Sequence, residues 1–277
     1  DDTFEGRGPG TPVGEAAAAW IAAEMTRVGL EPGGDDGTYF QKVAMVNQTI
    51  DAEQSYLTFT APDGTEMPTV LKEDSVIWTK HQDADEISFA PSDVVFVGYG
   101  VVAPEYDWND YADQDYTGKT VVILVNDPGF ATGDAELFKG KAMTYYGRWT
   151  YKFEEAARQG AAAAIIVHET EPAAYGWDVV KNSWSGAQSD LVRADGGANR
   201  AQVEGWITRD MAEKLFSTAG MDFEAMKTAA KTRGFQAAPL TGVKATGEIV
   251  QTIDELDSRN VIGVLPGTTQ PDEYVLY

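Results

Sequence analysis

Two histidines and no cysteine limit the metal and nucleophile chemistry open to this 277-residue sequence. His168 closes the run AAAAIIVHE, where an α/β strand delivers a functional group at its carboxyl end. Only Glu169 and Glu171 stand near it in sequence as co-ligands for a metal. A hydrogen-bonded structural histidine is the simpler reading, and a metal ligand is the alternative. His81, in WTKHQDADE, reads as part of a solvated loop. Lack of cysteine removes thiol catalysis, thiolate metal sites and disulfides together. A hydrolytic triad would need a nucleophile on a sharp turn, yet no G-x-S-x-G is present, and NSWSG lacks the leading glycine. No P-loop occurs, and VGYGVV lacks the third glycine of a dinucleotide fingerprint. With 44 Asp and Glu residues, paired carboxylates could be drawn almost anywhere, so such pairs carry no information here.

Aromatic residues gather more selectively. Tyr145, Tyr146, Arg148 and Trp149 lie together in AMTYYGRWTYKFEEAA, followed by Tyr151, and AAYGWDVVKNSWSG adds Tyr175, Trp177 and Trp184. Rings at this density fill space between a helix and a sheet with their polar tips at the rim. The alternative is a recognition surface, in which Tyr145, Tyr146, Arg148 and Trp149 contact a peptide or partner.

The elements that must position these groups follow from pattern. Thr11 and Pro12 open a helix as N-cap and first helical residue, and Gly29 stops it. Ala17, Trp20, Ile21, Met25 and Val28 form its apolar face. A strand, YFQKVAMVNQTI, follows. From Ala52 to Ala90, SYLTFT, MPTVL and SVIWT are separated by PDG and charged residues, which predicts hairpins. DVVFVGYGVV and TVVILVND are strands, the second apolar enough to be buried on both faces. YYGRWTYKFEEAARQG is a helix feeding the AAAAIIVHE strand, so the pair with TVVILVND forms a crossover unit. VEGWIT is a strand, and helices capped by Thr208 and Asp222 follow. LTGVKATGEIVQTIDEL is a long strand or hairpin. Val261 to Leu265 form a short strand, Pro266, Gly267 and Pro271 a turn, and Tyr274 to Tyr277 the start of another strand. No internal repeat is visible.

Hydrophobic residues at 43% are enough for a packed core, and the length allows one large domain or two of medium size. A net charge of −23 with no Lys/Arg cluster repels phosphate backbones, which argues against a nucleic-acid partner. No window approaches the ~18 apolar residues of a membrane span. DDTFEGRGPG has neither a basic nor an apolar signal region, so any signal peptide is expected to have been removed.

Three segments, in order, resemble one family. FEGRGPGTPVGEAAAAWIAAEMTRVGLEPGG with TYFQKV resembles the opening of the clan MH two-zinc exopeptidases, the aminopeptidase and glutamate carboxypeptidase family. DYTGKTVVILVNDPGF and KFEEAARQGAAAAIIVHE resemble the protease-associated (PA) domain inserted in many of those enzymes. RNVIGVLPGTTQPDEYVLY resembles the first two peptidase strands after the insert. The resemblance implies a mixed α/β (α+β) fold, a β-rich PA-type domain with flanking helices set into an incomplete α/β peptidase scaffold. Residues 1–50 and 241–277 would belong to the scaffold, and 51–240 to a hairpin extension and the PA domain. In that family the strand matching EYVLY leads into His-x-Asp, which supplies the first zinc ligands, and a downstream glutamate is the general base. The sequence reaches Tyr277 before any such position, so no residue here inherits a catalytic or metal role. The expectation is therefore the front portion of a zinc exopeptidase, an aminopeptidase by preference, with no cofactor in this chain and two zinc ions in the full-length protein. Peptide would be the full-length protein's substrate, and the exposed C-terminal strands are candidates for self-association. Family resemblance suggests a periplasmic or secreted protein. The competing expectation is a free-standing PA-type module that binds peptide or protein and has no catalytic half.

Overall fold

The computed structural model describes residues 2–4, 6–270 and 272–277; Pro271, expected in the C-terminal turn, lies outside them. Helix α1 runs Pro12–Arg27, and the short strand β1 Glu31–Pro32 precedes β2, Phe40–Ile50. Next come β3 Tyr56–Thr60, β4 Glu66–Pro68, β5 Ser75–Trp78, β6 Glu86–Phe96, β7 Val102–Ala103, β8 Trp108–Asn109 and β9 Thr120–Leu124. The helix-rich stretch holds α2 Pro128–Thr132, α3 Trp149–Arg158, β10 Ala163–His168, α4 Thr170–Ala173 and α5 Trp177–Trp184. After β11, Gln188–Leu191, come β12 Val203–Thr208, α6 Arg209–Thr218, α7 Phe223–Ala230, β13 Ala238–Val261 and β14 Gly263–Val264. The fold is mixed α/β. The chain divides into two compact units, one of residues 1–47, 189–192 and 254–277, the other of 48–188 and 193–253.

The larger unit is built on a sheet whose order is β13-β6-β9-β10-β12-β5. β6, β9, β10 and β12 are parallel to one another, and β13 and β5 flank them antiparallel. Every residue of β9 and β10 is buried, as their unbroken apolar runs require of strands covered on both faces. Alternation then sorts the side chains. Val122, Leu124, Ile165 and Val167 join Leu215, Phe216 and Phe223 of α6 and α7 in one core. Val121, Ile123, Ala164 and Ile166 join Phe153 and Ala156 of α3 in the other. The expected crossover unit is present as β9, α3 and β10. The expected helix through residues 145–160 begins later, because Tyr145–Gly147 form a 3-10 turn ahead of α3.

The hairpin expectation holds for β3 and β4, which pair antiparallel. It fails for β5, which pairs with β12 at the opposite edge. Trp78 there is buried, stacks on Trp184 at 4.0 Å, and donates from Nε1 to Glu204 Oε2 at 3.1 Å. Gly205 permits this approach, since a Cβ there would sit 2.5 Å from the Val76 carbonyl oxygen.

In the smaller unit α1 is capped by the Thr11 hydroxyl, which accepts from Gly14 N at 3.1 Å. Its expected apolar face is buried only in part, at Ala17 and, half-buried, at Met25. Ala17, Ala18 and Ala22 are buried, whereas Trp20 and Val28 are more than half exposed and Ile21 is also exposed. Methyl-sized side chains let the helix approach closely, which the bulkier stripe would prevent. β14 pairs with β1, and a Cβ on Gly263 would meet Met25 and Leu30. Val261 to Val264 are thereby half-buried, while Leu265 is exposed. The second C-terminal strand does not form, since Tyr274 to Tyr277 are fully exposed coil. Ion pairs Lys42–Asp257 at 2.9 Å and Arg259–Glu15, with Ser189 Oγ donating to Asn47 Oδ1, hold the three pieces of this unit together.

Candidate binding site

Four parallel strands end on the same side of the larger unit, and each hands a residue to one cavity of about 600 Å3. Tyr99 follows β6, Leu124 and Val125 end β9, His168 and Glu169 end β10, and Thr208 and Arg209 end β12. This is where the carboxyl ends of parallel strands place ligands in open α/β sheets. α2 adds Phe130 and Ala131, α4 adds Thr170, Glu171 and Pro172, and Trp177 opens α5. Lys141, Asp210, Lys227 and Lys231 complete the wall.

Local sequence explains several placements. The Thr208 hydroxyl accepts from Met211 N at 3.3 Å, so α6 starts at Arg209 and its first turn faces the cavity. The Asp222 carboxylate accepts from Ala225 N at 2.6 Å and starts α7, which brings Lys227 and then Lys231 to the same wall. Lys227 Nζ meets Glu169 Oε1 at 2.5 Å and Glu224 Oε1 at 3.2 Å. Arg209 reaches Glu213 at 2.7 Å, Glu224 at 2.8 Å and Glu169 at 3.5 Å. Burial protects the Lys227–Glu169 pair from solvent screening, and Arg209 shares the load.

His168 is buried, and its Nε2 lies 3.0 Å from the Tyr175 carbonyl oxygen. Because a carbonyl only accepts, the ring donates from Nε2, and a neutral imidazole then carries its free lone pair on Nδ1. Burial pushes the pKa of His168 down, with the Tyr175 carbonyl and Glu169 opposing, so the neutral form is favoured. Trp177 packs edge-on to the His168 ring at 5.6 Å. His81 Nε2 lies 3.3 Å from the Arg200 carbonyl oxygen. Among the described residues no three His, Cys, Asp or Glu side chains are grouped to hold a metal ion.

The four aromatic and basic candidates lie in the 3-10 turn and at the start of α3. Tyr145 is exposed and donates to Glu154 Oε2 at 2.8 Å. Tyr146 donates to Glu105 Oε1 at 2.7 Å, and its ring packs on Phe138 and Tyr151 at 5.6 and 5.0 Å. Both tyrosines line a second groove with Tyr106 and Met143. Arg148 is exposed and is not among that groove's lining. Trp149 turns away to pack edge-on against Trp184 at 4.8 Å.

Comparison with known proteins returns structures only. No family model matches the chain, and no curated protein matches it. Among solved structures it is similar to the aminopeptidase from Aneurinibacillus sp. strain AM-1, at 17% identity and a TM-score of 0.45, over 97% of this chain and 48% of that one. It is also similar to BSAP, a zinc aminopeptidase from Bacillus subtilis, at 16% identity and a TM-score of 0.31, over 96% and 46%. Both are aminopeptidases by name. The chain spans about half the length of each.

Of the cavity's residues, sequence singled out His168 by its place at a strand end. Glu169 and Glu171 entered only as co-ligands for a metal. Lys141, Arg209, Lys227 and Lys231 went unnoticed. The available signal was the charged residue directly after two of the buried strands, Glu169 after AAIIVH and Arg209 after VEGWIT.

Proposed function

We propose that this chain is the N-terminal and PA-domain portion of a zinc-dependent exopeptidase, an aminopeptidase by preference, and is not catalytic by itself. Residues 1–50 and 241–277 are read as peptidase scaffold, and 51–240 as the hairpin extension and PA domain. One observation supports this reading above the others. The chain's first 47 residues and its last 24 gather with residues 189–192 in one compact unit, while the PA-like segments fall in the other together with residues 241–253. That is the arrangement expected of an insert within a scaffold. In the full-length protein two zinc ions would activate water on residues outside this sequence. The role left to residues 51–240 is to shape peptide access or hold a partner, with Tyr145 and Tyr146 on one groove. A periplasmic or secreted location belongs to the same proposal.

The reading frame tests it: continuation past Tyr277 into His-x-Asp is the expected result, and a stop codon there would overturn it. The second reading, a free-standing peptide- or protein-binding module, is favoured by the cavity at the strand ends, which lies wholly within the larger unit.

A further inference from the structure

Two side chains at the 600 Å3 cavity are almost fully buried yet keep a polar atom without a partner. Tyr99 is 4% exposed and His168 5%. Among the described residues nothing hydrogen-bonds the Tyr99 hydroxyl or His168 Nδ1. Neither atom is sealed from solvent, unlike the unsatisfied hydroxyls of Tyr111 and Tyr116. Both side chains are held in place. Leu124 N donates to the Gly98 carbonyl oxygen at 2.7 Å, and Lys152 Nζ donates to that of Tyr99. The Tyr175 carbonyl fixes the His168 ring through Nε2. Burial, with Glu169, Asp110 and Asp127 nearby, pushes the Tyr99 pKa up, so its hydroxyl stays protonated and able to donate. The cavity thus presents one fixed O–H and one fixed imidazole lone pair. β9 lies between β6 and β10, so the strand ends that carry them stand about 10 Å apart.

We propose that this cavity binds a neutral sugar, a hexose or a disaccharide, through Tyr99 and His168. The Tyr99 hydroxyl donates to one sugar oxygen, and a sugar hydroxyl donates to His168 Nδ1. Every sugar hydroxyl both donates and accepts, and hydroxyls project all around the ring. One such ligand therefore meets a donor and an acceptor that arrive from separate strands, and spares both the cost of burial unpaired. The charged lining selects neither sign. Arg209, Lys227 and Glu169 are engaged with one another and with Glu213 and Glu224, and the remaining charges are two lysines and two carboxylates. Trp177 supplies an apolar wall for the C–H face of a sugar ring; its Nε1 donates to the Lys72 carbonyl oxygen at 3.1 Å, and its ring meets His168 at 5.6 Å. The volume lies in the range of small-ligand sites, roughly 300–1,000 Å3. Nothing in this inference needs zinc or a catalytic half, so it stands or falls separately from the peptidase reading.

The test is calorimetric titration of this chain with glucose, galactose, mannose and maltose, and with glucose 6-phosphate as the charged control. At least one neutral sugar should bind saturably with a Kd below about 10 mM. Tyr99→Phe removes only an oxygen that has no protein partner, so it should weaken that sugar about fivefold to tenfold at an unchanged melting temperature. Imidazole 15N resonances read the second contact. With only two histidines in the chain, saturating sugar should shift His168 Nδ1 and leave His81 in place. The proposal is overturned if none of the four sugars reaches that affinity, or if glucose 6-phosphate binds more tightly than all of them. It is equally overturned if Tyr99→Phe retains full affinity, or if His168 Nδ1 does not move.

Discussion

Lys152 is wholly buried and donates from Nζ to the Tyr99 carbonyl oxygen at 2.5 Å. Asp110, also buried, accepts from Val101 N at 2.9 Å and from Trp108 Nε1 at 2.8 Å. Burial pushes the Asp110 carboxyl up and the Lys152 amine down, and their mutual attraction opposes both shifts. Removing only the cation strands a buried carboxylate, so Lys152→Met should lower the unfolding free energy by about 3 kcal/mol in urea denaturation. Asp110→Asn in the same chain should recover part of that loss, because the stranded charge is gone. His168 carries the pH prediction. Its folded-state pKa lies below the ordinary value of 6.5, so the unfolded chain takes up the proton first. Stability present above 6.5 is therefore lost as pH falls toward the folded pKa. Relative to His168→Gln, which retains a donor but does not titrate, the wild type should lose melting temperature between about pH 7.5 and 5.5. A constant difference across that window would show that the buried ring does not resist protonation.

Two helices depend on single capping side chains. Thr208→Ala and Asp222→Ala should each cost about 1 kcal/mol, read as a lower urea midpoint with an unchanged denaturant slope. These caps were legible in the sequence because capping is local, settled within four residues of the chain. Thr11 with Pro12 was legible for the same reason, and the buried strands β9 and β10 announced themselves by unbroken apolar runs. Pairing between strands far apart in sequence was not legible. β5 joins β12, with Trp78 bonded to Glu204 across 126 positions, and no short-range pattern encodes that. The buried face of α1 was legible only at Ala17 and Met25, because hydrophobicity ranks Trp20 and Ile21 above alanine, whereas close helix packing selects the smallest side chains. At the candidate site, the strand end at His168 was visible, but the Lys227–Glu169 pair joins residues 58 positions apart. Tyr145, Tyr146, Arg148 and Trp149 were grouped by adjacency, and the turn from 3-10 helix to α3 divides them.

For the whole molecule the dominant long-range term is a net charge of −23. Self-repulsion of that size weakens the compact state and is screened by salt. The melting temperature should therefore rise as NaCl is increased from about 20 mM to about 500 mM. A fall instead would mean that the Arg209, Lys227 and Glu169 network outweighs the net repulsion. No helix among the described residues is long and apolar enough to cross a membrane. Under the proposed function these residues bind and shape access but do not themselves cleave peptides. Its most direct test is release of nitroaniline from leucine 4-nitroanilide by the purified chain, with and without two equivalents of zinc. The expected rate is that of the buffer blank in both cases. Zinc-dependent turnover that a chelator abolishes would contradict it.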